Sequence, residues 1–249
     1  MQRYRLLLEY NGTRFRGWQR QLGHPTVQES LETALARLCG HQVTVTGAGR
    51  TDTGVHALGQ VAHFDTHRPR PAGELKKALN ALTPKDVAVL AVEEVDSRFH
   101  ARFSACYREY LYRLNDRQEP PVLELGRVWH LHQRVDAGLM NQAASLLLGQ
   151  HDFTAFRAAG CQAKSPVREV KLARVSRQGH EIRLEIGANA FLQHMVRNII
   201  GSLVMVGRGE WSVDHFGKVL AGGDRTRAGA TAPPHGLYFM RVDYPPLEG

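Results

Sequence analysis

The chain has 249 residues, with 32 Lys+Arg against 24 Asp+Glu, a formal charge of +8 and a pI near 9.7; 43% of residues are hydrophobic and 22% charged. That composition excludes wholesale disorder and leaves enough apolar material for one large or two small globular domains with a basic surface. Arg supplies 26 of the basic residues and Lys only 6, a bias toward planar, bidentate contact with phosphate or carboxylate.

In chain order, residues 4 to 10 alternate as a strand and Asn11-Gly12 marks a turn into a basic loop. From Thr26 a helix is signalled by the Thr26/Glu29 capping-box pair, by Val27, Leu31, Leu35 and Leu38 on one face, and by Gly40 at its end. Residues 42 to 46 read as a short β-branched strand, 60 to 64 as a second strand, 73 to 82 as a helix stopped by Thr83-Pro84, and 86 to 95 as a further strand. The second half repeats that order: strand 107 to 114, helix 136 to 148, strands near 168 to 176 and 180 to 187, helix 190 to 206 and strand 237 to 244. A short helix capped by Ser212 precedes the last strand. The expected architecture is therefore α+β: two tandem split βαββαβ units, residues 1 to 103 and 104 to 249, whose mainly antiparallel sheets flank a basic cleft.

Cys39, Cys106 and Cys161 have no paired spacing, so neither a disulfide framework nor a cysteine zinc site is expected, and a reducing cytoplasm fits. His130 and His132 lack a third metal ligand at a recognisable spacing, and no stretch reads as a membrane segment.

The densest chemical signal runs from Gly47 to His56, a glycine-flanked loop presenting Arg50, Asp52 and His56. It fits neither a dinucleotide fingerprint nor a phosphate loop. Asp52 reads either as a turn residue satisfying backbone donors or as a nucleophile or base kept ionised by Arg50. In the strand from 107, Arg108, Tyr110 and Tyr112 share one face, which suits either a core or a platform for an unstacked base. In the helix from 190, His194, Arg197 and Gly201 fall on a narrow strip beside a wide apolar face, so a partly buried Arg197 needs an anion, and Asp52 is a candidate. Arg14, Arg16 and Arg20 in the first loop, with Lys164 and Arg168 in a later one, suit a nucleic-acid backbone or simply a solvated face.

These segments taken together resemble the tRNA pseudouridine synthase A family. The resemblance rests on Gly47-Ala-Gly-Arg-Thr-Asp52-Thr-Gly-Val-His56 with Gln60-Val-Ala-His-Phe64, on Tyr10 to Arg20, Ala101 to Ala105, His151 to Phe156, Phe191 to Gly201 and Thr231 to Tyr238, all in family order. It implies a homodimeric isomerase that makes pseudouridine at positions 38, 39 and 40 of the tRNA anticodon arm without cofactor or metal. It also implies roles: Asp52 as the catalytic aspartate, Arg50 as its loop partner, Tyr110 as the active-site tyrosine and Arg197 as the basic residue that pairs with the aspartate. Asn11 and Glu109 depart from the common pattern. A non-catalytic RNA-binding protein and an N-glycosidic hydrolase are the competing readings.

Overall fold

The structure, a computed structural model, describes residues 1 to 245. Its strands are β1 (Gln2–Tyr10), β2 (Thr46–Gly47), β3 (His56–Thr66), β4 (Val87–Val95), β5 (Tyr107–Asn115), β6 (Trp129–His130), β7 (Gly149–Asp152), β8 (Val167–Gln178), β9 (Glu181–Ala188) and β10 (Leu237–Asp243). Its helices are α1 (Val27–Cys39), α2 (Ala72–Leu82), α3 (Ala137–Ser145), α4 (Met195–Gly207) and α5 (Val213–Gly222). Two compact units emerge. One comprises Met1–Cys106 with residues 238 to 245, and the other Tyr107–Leu237.

In the first unit the strand order is β4-β1-β3-β10, with β1 antiparallel to both β3 and β4. Tyr4 lies opposite Phe64 in the β1/β3 register and the two rings stack at 5.3 Å, a cross-strand aromatic pair at the centre of the core. The apolar face of α1 (Val27, Leu31, Leu35) is buried. Thr26 caps it by accepting from the Glu29 amide (3.3 Å), a contact worth about 1 kcal/mol, and Gly40 ends it at φ 71°.

The expected strand over residues 42 to 46 shrinks to Thr46–Gly47, paired antiparallel with β3. The reason is polar side chains on α1. The Val45 amide donates to Glu32 Oε1 (3.0 Å) and its carbonyl accepts from Gln28 Nε2 (3.0 Å), so the helix takes the backbone groups that a sheet neighbour would have used.

In the second unit the order is β5-β9-β8-β7, antiparallel throughout, and β6 runs parallel beside the end of β5. Ile182, Leu184 and Ile186 alternate inward from β9 to meet Tyr112 and Leu114 of β5. Ser212 caps α5 through the His215 amide (3.0 Å), and Phe216, Val219 and Leu220 are buried as the spacing requires.

Two sequence expectations need correction. The strand closing the second repeat, β10, pairs in parallel with β3 at Tyr238↔His56 and Phe239↔Ala57, so the division at 103/104 does not hold for the C-terminal strand and the second half lacks its sixth element. The helix expected from 190 starts at Met195, because His194 adopts a left-handed φ of 62° that cannot continue a helix. Among the described residues no helix is long and apolar enough to cross a membrane.

Candidate active site

The Gly47–His56 segment leaves β2 and re-enters the sheet as β3. It is braced against the loop that follows β1. The Trp18 amide donates to the Thr51 carbonyl (3.0 Å), the Gly54 amide reaches the Phe15 carbonyl (3.4 Å), and the Val55 amide closes a turn on the Asp52 carbonyl (3.1 Å). The Gly12 amide donates to His56 Nδ1 (3.1 Å), so that nitrogen carries no proton. The two loops touch too closely for side chains: a Cβ on Gly12 would lie 1.9 Å from the Val55 carbonyl oxygen, and one on Gly17 (φ 89°) 2.5 Å from that of Thr51.

Within this frame Thr51 and Val55 are buried, Asp52 is half-buried and Thr53 is exposed. Backbone contacts therefore hold both sides of Asp52. Arg50 is exposed and enters no ion pair among the described residues, so the structure does not place it on Asp52 as sequence adjacency suggested.

The second unit holds Tyr110 and Arg197. On β5 the face shared by Arg108, Tyr110 and Tyr112 is mostly core: Tyr112 is fully buried and donates to the Pro233 carbonyl (2.7 Å), and burial pushes its phenol pKa well up. Tyr112 is thereby excluded as a stacking platform. Tyr110, 8% exposed, meets Phe191 edge to face at 5.0 Å. On the opposite face Glu109 accepts from the Tyr107 hydroxyl (3.1 Å), which gives the unexpected acidic residue a local role.

Arg197 is half-buried on the first turn of α4. Its Nε donates to the Ala232 carbonyl (2.7 Å) and its own carbonyl accepts from the Ala232 amide (3.1 Å). Gly201 and Ser202 continue that strip, the Ser202 hydroxyl accepting from the Gly229 amide (2.8 Å). The strip read from the sequence is thus a seat for the backbone of residues 228 to 232. Beside it, burial and then the Arg197 charge hold the His235 pKa below its ordinary value. Sequence reasoning gave His235 no role.

The basic residues divide. Arg14, Arg16, Arg20 and Lys164 are exposed; Arg14 and Arg20 make only loose pairs with Asp86 (3.6 Å) and Glu32 (3.5 Å), which solvent makes weak. Arg168 is half-buried instead, donating to the Ser165 (2.9 Å) and Val167 (2.5 Å) carbonyls, so it serves its own loop. No cluster of three metal-ligating side chains occurs among the described residues.

A family model described as tRNA pseudouridine synthase matches residues 7–104 and 143–245. The chain belongs to the tRNA pseudouridine synthase family. With the family comes the enzyme class, an isomerase acting on tRNA. The chain is 52% identical over 246 residues to a Rhodospirillum rubrum protein named tRNA pseudouridine synthase A, covering 98% of this chain and 88% of that one. It is 51% identical to the protein of the same name from Maricaulis maris, over 98% and 99% of the two chains, and likewise 51% to that of Rhodospirillum centenum, over 98% and 100%.

Proposed function

We propose that this chain isomerises uridine to pseudouridine at positions 38, 39 and 40 of the tRNA anticodon arm, with Asp52 as the covalent catalyst. The observation that carries the reading is the pinned loop: Asp52, a half-buried residue, is the one carboxylate between Gly47 and His56 and is held by backbone bonds on both sides. Isomerisation breaks the N1–C1′ bond, turns the uracil and rejoins it through C5, which loses its proton. One fixed carboxylate serves that sequence by bonding to C1′, by bonding to the base, or by taking the C2′ proton. Neither redox nor group transfer to a carrier is required.

In the same reading Tyr110 bears on the base, Arg50 supports the loop, and Arg197 pairs with the aspartate, as the family resemblance implies. Arg14, Arg16, Arg20 and Lys164 meet tRNA phosphates, the enzyme acts as a homodimer, and the target base leaves its stack at a cost of a few kcal/mol.

Asp52→Asn tests the reading with tRNA tritiated at uracil C5. Tritium release should fall at least about a thousandfold, near 4 kcal/mol of transition-state stabilisation, while tRNA affinity stays within severalfold. Undiminished release by the variant sinks the role of Asp52, and free uracil in the wild-type reaction makes the protein a hydrolase. Mass-spectrometric mapping of tRNA from cells lacking the protein should show pseudouridine missing at 38 to 40; loss elsewhere overturns the assigned positions.

A further inference from the structure

We propose that Tyr10, Thr51 and Gln60 form a buried hydrogen-bonded brace that sets the position of Asp52, making them positioning residues for the reaction. The proposal rests on the reading of Asp52 as the catalyst. The Tyr10 hydroxyl lies 2.8 Å from Thr51 Oγ1, one residue before the aspartate. Gln60 Nε2 donates to the Gly49 carbonyl (2.9 Å), two residues before Thr51, and stands 3.5 Å from the Tyr10 oxygen. All three side chains are buried: Gln60 is 0%, Tyr10 3% and Thr51 7% exposed. One bond thus reaches the loop from the end of β1 and another from the middle of β3, so the two central strands of the sheet fix two points of the loop leading to Asp52.

Chemistry sets the direction of these bonds. A carbonyl oxygen only accepts, so the Gln60 amide nitrogen must face Gly49, and from there it also donates toward Tyr10. That leaves the Tyr10 hydrogen for Thr51. Burial pushes the Tyr10 phenol up to about 12, so the hydroxyl stays protonated at physiological pH and the bond persists.

Gln60 also shows why the brace is more than packing. With its nitrogen committed to Gly49, its Oε1 is buried with no hydrogen-bond partner among the described residues. An apolar side chain of similar length would remove that acceptor but leave the Gly49 carbonyl without its donor, so it gains nothing in pairing and loses the tether to the loop. A buried amide that spends its nitrogen on the loop before a catalytic carboxylate and leaves its own oxygen unpaired is explained by the reaction.

The test measures kcat, tRNA Kd and melting temperature for single and paired variants, each beside Asp52→Asn. Tyr10→Phe keeps the ring and its packing and removes one hydroxyl; kcat should fall tenfold or more with Kd within twofold. Thr51→Val should fall similarly and Thr51→Ser should restore most of the rate. The Tyr10→Phe/Thr51→Val pair should be no slower than the slower single variant. Gln60→Met should lower kcat tenfold or more with Kd within twofold at a temperature where the variant is fully folded, whereas a purely structural glutamine would lower the melting temperature and leave kcat of the folded variant unchanged. Full kcat in Tyr10→Phe and Thr51→Val, multiplicative losses in the pair, or losses confined to Kd overturn the brace. If Asp52→Asn is inactive while these variants are fully active, only the brace fails; if Asp52→Asn is active, the reading of Asp52 itself fails.

Discussion

The two units secure their candidate residues by opposite means. In the first, the loop around Asp52 is held mainly through its backbone, by amide-to-carbonyl bonds from Trp18 and Gly54 and by glycines that let two loops meet. In the second, regular elements carry Tyr110 and Arg197, and the side chains themselves are engaged: Tyr110 against Phe191, Arg197 on the Ala232 carbonyl. Backbone fixation sets a residue's place without drawing on its side chain. Side-chain fixation commits part of that chemistry to the fold, so the same substitution disturbs structure and activity together.

The sharpest way to break this contrast is at Gly12. Gly12→Ala forces a methyl into the Val55 carbonyl and should destabilise the protein by about 3 kcal/mol, a fall of about 6–12 °C in melting temperature by calorimetry. An unchanged melting temperature means that the loops are not packed as described. Next comes Arg197→Met: turnover should drop about 10- to 100-fold, or about 1.4–2.7 kcal/mol, with tRNA Kd within severalfold. A loss of affinity alone would remove Arg197 from the chemistry.

His63 marks a third way of holding the chain, a buried imidazole whose Nδ1 accepts from the Ala101 amide (3.1 Å). Burial, followed by the Arg3 and His100 charges, lowers its pKa to about 4 against an ordinary 6.5. The unfolded chain therefore binds a proton below 6.5 that the folded chain refuses until about 4. Stability from this group is complete above 6.5 and is lost as pH falls through that window. His63→Asn keeps an acceptor without the titration and should lose less stability than the wild type between pH 6.5 and 4; equal losses would mean that His63 does not contribute. The smallest effect is expected from the basic loops. Arg16→Ala should lower the slope of log Kd for tRNA against log salt by about 0.7 to 0.9, whereas Arg168→Ala should leave it unchanged. Equal slope changes would show that Arg168 leaves its loop carbonyls to meet phosphate.

Local signals located most elements. Thr26, Gly40 and Ser212 mark helix ends in the structure as their capping chemistry requires, and α1, α2, β1, β4, β5 and α5 lie within a few residues of their expected spans. The misses were long-range. Residues 42 to 45 have the composition of a strand, yet Gln28 and Glu32 claim the backbone groups of Val45 from a distance of 13 residues or more along the chain. Residues 191 to 194 carry the apolar pattern of a helix, yet the left-handed turn at His194 excludes them. At the candidate site, the Gly47–His56 run was conspicuous because glycines and charges cluster there, whereas Gln60, buried in an apolar strand, gave only the faint signal of one polar residue out of place.

The sequence by itself determined the family, through ordered motifs spread along the chain, and the helix ends, because caps and glycines act over three or four residues. Only the tertiary structure decided that β10 completes the sheet of the first unit, that Tyr112 is core while Tyr110 keeps some exposure, and that Arg50 makes no ion pair among the described residues while Arg197 is tied to a carbonyl. Strand pairing, burial and hydrogen-bond partners depend on residues brought together from distant parts of the chain, and no local pattern records them.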